Sequence, residues 1–256
     1  IKAYIVMPIT TPSIKVDSVK NYGGKVILKG DNFDEAFKYA EELAKKENYT
    51  FIHPYDDRDV IAGQGTVGKE LIEQIDNGMD VVFVPVGGGG LLAGLGSYIK
   101  SVNPKIKIIG VEPEDAACLK LALDNNKRLS LAEVGLFADG VAVKQIGKNT
   151  FSLIRQWIDD VITVSVDEMC AAVQDTFQET RTVPEPAGAL ALAGLKKYCQ
   201  SRGLKNKKLV AINSGSNLNF DRLGHIVERV QLGESKEVLL GVKIPEEKGS
   251  FRRFYK

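Results

Sequence analysis

Short apolar runs alternate with amphipathic stretches along most of this chain. "KAYIVM" and "KVIL" near the N-terminus, then "VVFVPV", "KIKIIGV", "DVITVS" and "KLVAIN", are short, rich in β-branched residues, and read as strands. Val81 to Val86 is apolar throughout, which marks a strand buried on both faces. Between the runs the period changes. Phe33, Ala36, Phe37, Ala40, Leu43 and Ala44 form one helical stripe, and Leu91, Leu92, Leu95, Tyr98 and Ile99 form another. "SVDE", Ser165 to Glu168, has capping-box form ahead of "MCAAV". Pro184 and Pro186 open the helix "AGALALAGLKKY", because a first turn tolerates proline. This alternation predicts an α/β fold of mostly parallel sheet covered by helices.

One strand-to-helix junction stands out. Four consecutive glycines, Gly87 to Gly90, separate the apolar strand from the helix that begins near Leu91. Glycine is entropically costly, so such a run requires unusual backbone angles or the close approach of another group. A glycine-rich turn at a helix N-terminus presents free N–H groups and the positive end of the dipole, which suits a phosphate. The alternative is a tight packing turn. In open parallel sheets ligands sit at the carboxyl ends of strands, which is where this turn falls.

Composition narrows the field. Lys plus Arg number 34 and Asp plus Glu 33, a net charge of +1, with basic and acidic residues interspersed. A nucleic-acid partner is not expected from such a balance, and no apolar run reaches the roughly 18 residues of a membrane span. Cys118, Cys170 and Cys199 are too far apart for a metal motif, and three cannot all pair, which suits a reducing, cytoplasmic setting. With His53 and His225 the only histidines, a histidine-rich metal site and a Ser-His-Asp triad both have poor support.

Other motifs are weaker. "GQGTVGKE", residues 63 to 70, imitates both G-x-G-x-x-G and the start of a P-loop, but no buried strand precedes it and Glu70 replaces the Ser or Thr that would hold magnesium. It reads as a glycine-rich entry into the helix "VGKELIEQI". "AINSGSNLNF" puts Ser214 in a polar turn after a strand, where it either caps the turn or offers its hydroxyl to a ligand. Glu185 stands in a helix's first turn, favoured there by the dipole. Asp139 and Gly140 in "FADGVAV" suit an active-site loop. Glu112 and Asp115 are too few for a metal site and read as solvated surface carboxylates.

"KAYIVMPITTPSIKVDSVKNYGG", "HPYDDRDVIAGQGT", "VPVGGGGLLAG", "GLFADGVAVK", "EPAGALALAG" and "NSGSNLNF", in this order and through essentially the whole chain, resemble the biosynthetic threonine dehydratases. These are pyridoxal-phosphate enzymes of fold type II, with a tryptophan synthase β-like architecture. The resemblance implies that Gly87, Gly88, Gly89, Gly90 and the backbone at Leu91 cradle the cofactor's phosphate. It also implies that the Ser214 hydroxyl faces the pyridine nitrogen, with Glu185, Asp139 and Gly140 nearby. A neutral hydroxyl there, in place of a carboxylate, suits β-elimination over transamination: L-threonine to 2-oxobutanoate and ammonia. The cofactor carries the chemistry, and the protein orients and tunes it.

The family's Schiff-base lysine lies in a Ser-Phe-Lys motif, and no lysine here does, so no catalytic residue is assigned and the chain alone is expected to be inactive. Both ends look cut. Residues 228 to 237 read as a linker, and "VLLGVKI" as a new strand leading into "PEEKGSFRRFYK", which has the look of a first helical turn. The expected division is residues 1 to 235, a partial catalytic domain, and 236 to 256, the start of an ACT-like regulatory domain through which the family senses isoleucine. A tetramer is the family's usual assembly, and a removed organelle transit segment is compatible with the sequence. The serine racemase branch shares the tetraglycine loop; its metal site begins at a glutamate matching Glu112, but Cys118 stands where that branch has an aspartate, so no metal is expected. Serine racemase, a serine/threonine dehydratase acting on L-serine, or a non-catalytic phosphate-binding module are the alternative readings.

Overall fold

A computed structural model describes residues 1–31, 33–76, 78–233 and 241–254. The N-terminal part is small. β1 (Tyr4–Met7) pairs in parallel with β2 (Lys25–Leu28), with Tyr4 opposite Lys25 and Met7 opposite Leu28. α1 (Ser13–Asn21) connects them, and α2 (Phe33–Glu47) follows and packs on β1. The stripe from Phe33 to Ala44 therefore falls on a helix, as its spacing predicts.

α3 (Arg58–Gln74) begins at Asp57, whose carboxylate accepts the N–H groups of Asp59 and Val60 at 2.8 and 3.1 Å. The main sheet follows: β3 (Val81–Pro85), α4 (Gly90–Val102), β4 (Lys107–Pro113), α5 (Cys118–Asp124), α6 (Lys148–Trp157), β5 (Asp160–Val164), α7 (Val166–Thr180), α8 (Pro186–Arg202) and β6 (Leu209–Ala211). Its four strands lie in the order β5–β4–β3–β6, all parallel, with Val81 of β3 opposite both Lys107 and Leu209.

β3 is buried on both sides, as an uncharged run must be. Successive side chains alternate between two cores. Val82 and Val84 join Leu92, Leu95 and Ile99 of α4 and Phe151 and Ile154 of α6. Val81 and Phe83 join Leu190, Ala193 and Tyr198 of α8 and Met169 and Val173 of α7. Each such large side chain, fully buried, contributes about 1.5–3 kcal/mol. α7 opens with the expected capping box: the Ser165 hydroxyl accepts the Glu168 N–H at 3.1 Å and Glu168 Oε2 accepts the Ser165 N–H at 2.7 Å.

Two sequence expectations need correction. "GQGTVGKE" lies in the interior of α3, not at its entry. Two of its three glycines serve helix packing: a Cβ on Gly68 would stand 3.0 Å from the Leu95 carbonyl oxygen, and one on Gly65 3.3 Å from that of Gly94, so α3 and α4 meet backbone to backbone, while Gly63 has open space around it. The linker expected at residues 228 to 237 is, as far as Gly233, the end of α9 (Arg222–Gly233). Ile226 and Val230, four residues apart, are both 3 % exposed and fix that helix on α7, aided by the Arg229–Asp167 ion pair at 2.8 Å. The strand expected at "VLLGVKI" starts outside the described residues, and Gly241 to Ile244 are irregular. The final predicted turn appears as α10 (Ser250–Phe254).

Candidate cofactor site

The chain leaves β3 toward β4 on one side, while β6 lies on the other, so the carboxyl ends of β3 and β6 flank a crevice of the kind where α/β sheets bind ligands. The tetraglycine turn follows β3 and the Ser214 turn follows β6. Gly87, Gly88, Gly89, Gly90, Leu91 and Ser214 line one cavity of about 380 Å³, together with Asp139 and Gly140, which sit in a single 3₁₀ turn. Every residue expected at the cofactor is thus on this cavity, except Glu185, which stands beside it. Gln64 of "GQGTVGKE" and Val141 to Val143 of "FADGVAV" also line it, as does Tyr55, which carries no local signal in the sequence.

The four glycines answer separate demands. Gly89 is in the left-handed region, at φ 90°, and caps α4. The others have protein where a side chain would go. A Cβ on Gly87 would stand 3.0 Å from Val141 Cα, and one on Gly90 3.1 Å from the Tyr55 backbone, while one on Gly88 would overlap the Tyr55 ring. Close packing, one of the two readings the sequence leaves open for this turn, is met at these positions.

The residues fit a phosphate. Among the described residues, the N–H groups of Gly88, Gly89, Gly90 and Leu91 have no protein acceptor; the first helical bond is from Ala93 to the Gly89 oxygen, at 2.9 Å. Gly88, Gly89 and Gly90 are buried, so these donors need a partner from within the cavity. α4 runs 13 residues behind them and adds its positive end.

Glu185 does not serve the helix it begins: its side chain makes no cap hydrogen bond. Its N–H donates to the Gly215 carbonyl at 3.1 Å, and its Oε1 lies against Gly215 and 3.4 Å from where a Cβ of Gly140 would be. Oε2 is buried without a partner among the described residues. Burial raises the pKa of this carboxyl, Lys15 opposing and the Asp139 carboxylate adding to the rise. Lys15 Nζ meets Asp139 Oδ2 at 2.8 Å, tying α1 to the site loop.

Glu112 is not the solvated carboxylate its sequence suggests. It is 0 % exposed, and its two oxygens accept the N–H groups of Leu119 and Lys120 at 2.7 and 2.8 Å, capping α5. Burial pushes its pKa up to about 7 against those two bonds. Asp115 is exposed, as expected, with its carbonyl accepting the Gly135 N–H at 2.9 Å. His53 serves the turn before α3. Its Nδ1 accepts the N–H groups of Tyr55 and Asp56 at 3.2 and 2.9 Å, and burial lowers its pKa. No lysine is among the described residues lining the cavity.

Comparison with known proteins identifies the family. Residues 1–215 match the family described as pyridoxal-phosphate dependent enzyme. The L-threonine dehydratase biosynthetic IlvA of Haemophilus influenzae is 54 % identical over 254 residues, 99 % of this chain and 49 % of that protein. The chloroplastic biosynthetic threonine dehydratase of Arabidopsis thaliana is 50 % identical over 98 % of this chain and 43 % of its own length. The chain thus spans about half the length of the curated relatives it matches. The solved structure of the processed form of threonine deaminase isoform 2 from Solanum lycopersicum superposes with a TM-score of 0.87 at 45 % identity, covering 90 % of this chain and 63 % of that one. With a parallel sheet, a tetraglycine turn of unpaired N–H groups at its carboxyl edge, and a family match over most of its length, this chain belongs to the pyridoxal-phosphate dependent enzymes.

Proposed function

We propose that the protein is a threonine dehydratase: L-threonine loses its β-hydroxyl as water, and the resulting enamine takes up water to give 2-oxobutanoate and ammonia. The observation that carries this reading is the row of N–H groups from Gly88 to Leu91, without an acceptor among the described residues, in a turn lining a cavity that Ser214 also lines, in a chain about half identical to named threonine dehydratases. The chemistry supplied by the cofactor, when bound, is an electron sink for the α-carbon of an amino acid.

The chain's own residues bind and orient. Backbone N–H groups from Gly88 to Leu91 would hold the phosphate at the positive end of α4. Ser214, which lines the same cavity, would offer the cofactor ring a neutral hydroxyl without adding charge. Asp139 and Gly140 wall the cavity, and the Lys15–Asp139 pair fixes that wall. Glu185, beside Gly215 and Gly140, faces the same region with a carboxyl whose pKa is raised by burial. None of the 256 residues is assigned as the base for the α-proton, there being no Ser-Phe-Lys motif among them.

Isoleucine as an effector, a tetrameric assembly and a reducing compartment, cytoplasmic or organellar, belong to the same proposal. Free Cys118, Cys170 and Cys199 support the last, and among the described residues no helix is long and apolar enough to cross a membrane. The test is to purify the protein as its host makes it and to measure 2-oxo acids formed from L-threonine and L-serine. Cofactor-dependent 2-oxobutanoate is expected, with the 256-residue chain by itself silent. No 2-oxo acid from threonine would sink the proposal.

A further inference from the structure

Two carbonyls of the tetraglycine turn are tethered from behind. The Thr150 hydroxyl donates to the Gly88 oxygen at 2.9 Å, and the Gly147 N–H reaches the same atom at 3.3 Å. The Cys118 thiol donates to the Gly87 oxygen at 3.6 Å. In a planar trans peptide, C=O and N–H point in opposite directions. Drawing the Gly87 and Gly88 oxygens toward α5 and α6 therefore turns the N–H groups of Gly88 and Gly89 away from those helices.

Thr150 is 0 % exposed and sits in the first turn of α6, a helix whose capping position, Gly147, has no side chain to offer. The cap comes from a distant segment. The Asp56 carboxylate accepts the N–H groups of Lys148, Asn149 and Thr150 at 2.7, 2.8 and 3.1 Å. Asn149 returns a bond from its amide to the Asp56 carbonyl at 2.9 Å. Asp56 is held in turn by its own N–H on His53 Nδ1. Three charge-assisted bonds on one helix start fix where Thr150 stands relative to the turn.

We propose that Thr150 and Asp56 are positioning residues for the anion site: Asp56 anchors the start of α6, and Thr150 passes that placement to the Gly88 peptide, so that the turn's N–H groups face a phosphate. This rests on the reading of the turn as a phosphate site. It extends that site to two side chains that never touch the ligand.

The experiment compares dissociation constants for pyridoxal phosphate and for pyridoxal, which lacks the phosphate, in the chain and in Thr150→Val, Thr150→Ser and Asp56→Asn, with a thermal melt of each. Thr150→Val is expected to weaken pyridoxal phosphate about five- to tenfold while leaving pyridoxal unchanged, the scale of one lost hydrogen bond. Thr150→Ser, which keeps the hydroxyl, is expected to restore most of the affinity. A folded Thr150→Val that binds pyridoxal phosphate like the parent overturns the inference, as does equal weakening of both ligands. If Thr150→Val does not fold, Asp56→Asn decides: phosphate-selective weakening supports the inference, and unchanged selectivity overturns it. A parent chain that binds the two ligands equally overturns the phosphate-site reading itself, and the inference with it.

Discussion

The ring of Tyr55 occupies the place where a side chain of Gly88 would go. That ring stands edge-on to His53, with centroids 4.6 Å apart, and His53 stands edge-on to Phe37 of α2 at 5.1 Å. An aromatic ladder thus runs from the small N-terminal part to the turn that faces the cavity. Aromatic pairs of this geometry are worth about 0.5–1.5 kcal/mol each beyond the area they bury.

Gly88→Ala should therefore displace either the ring or the turn. We expect a loss of pyridoxal phosphate affinity of more than about tenfold, on the scale of an overpacked site. Tyr55→Ala in the same chain should recover part of it, because the two changes share one contact. Equilibrium dialysis of the two single variants and the double variant checks this; strictly additive losses would contradict it.

Glu112 gives the fold a pH dependence. Its folded pKa of about 7 lies above the ordinary value of 4.5, so the folded state binds the proton more tightly than the unfolded state. The resulting stabilisation is fully present below about pH 4.5 and is lost as pH rises through about 7, on the order of 3 kcal/mol in all. Urea unfolding at pH 5 and pH 8 should show a smaller drop in Glu112→Gln than in the parent. Equal drops in both proteins would assign the dependence to other groups.

Removing the cap on α7 should cost stability without touching the site. Ser165→Ala leaves the Glu168 N–H without its hydroxyl partner, a loss of about 1 kcal/mol. Denaturant midpoints measure it, and pyridoxal phosphate affinity should not change.

The glycines of α3 separate packing from propensity. Gly63 has open space around it, so Gly63→Ala should stabilise by roughly 0.5–1 kcal/mol. Gly68 faces the Leu95 oxygen, and Gly68→Ala should destabilise by about 1–3 kcal/mol despite the same gain in propensity. Thermal melts of the two variants should move in opposite directions.

Much of this was legible in the sequence because it is written in local periods. The uncharged run of β3, the stripe of α2 and the Ser165–Glu168 box each specify their own structure. The tetraglycine turn and Ser214 were found as end-of-strand turns, and β3 and β6 being neighbours brings them together. What stayed hidden depends on distant partners. Asp56 caps a helix 92 residues later, and nothing around it marks that role. Glu112 reads as a surface acid because its burial comes from helices packed over β4, and the stretch from Glu228 reads as a linker because Val230, its one buried residue among those described, is outnumbered by polar neighbours.

The most direct test of the cofactor site is the phosphorus resonance of pyridoxal phosphate mixed with the 256-residue chain, followed from pH 5 to pH 8. A phosphate held by the N–H groups of Gly88 to Leu91 at the end of α4 should stay dianionic, with a shift that is flat across that range. A phosphate titrating near its free value of roughly 6, unchanged by the protein, would contradict the account.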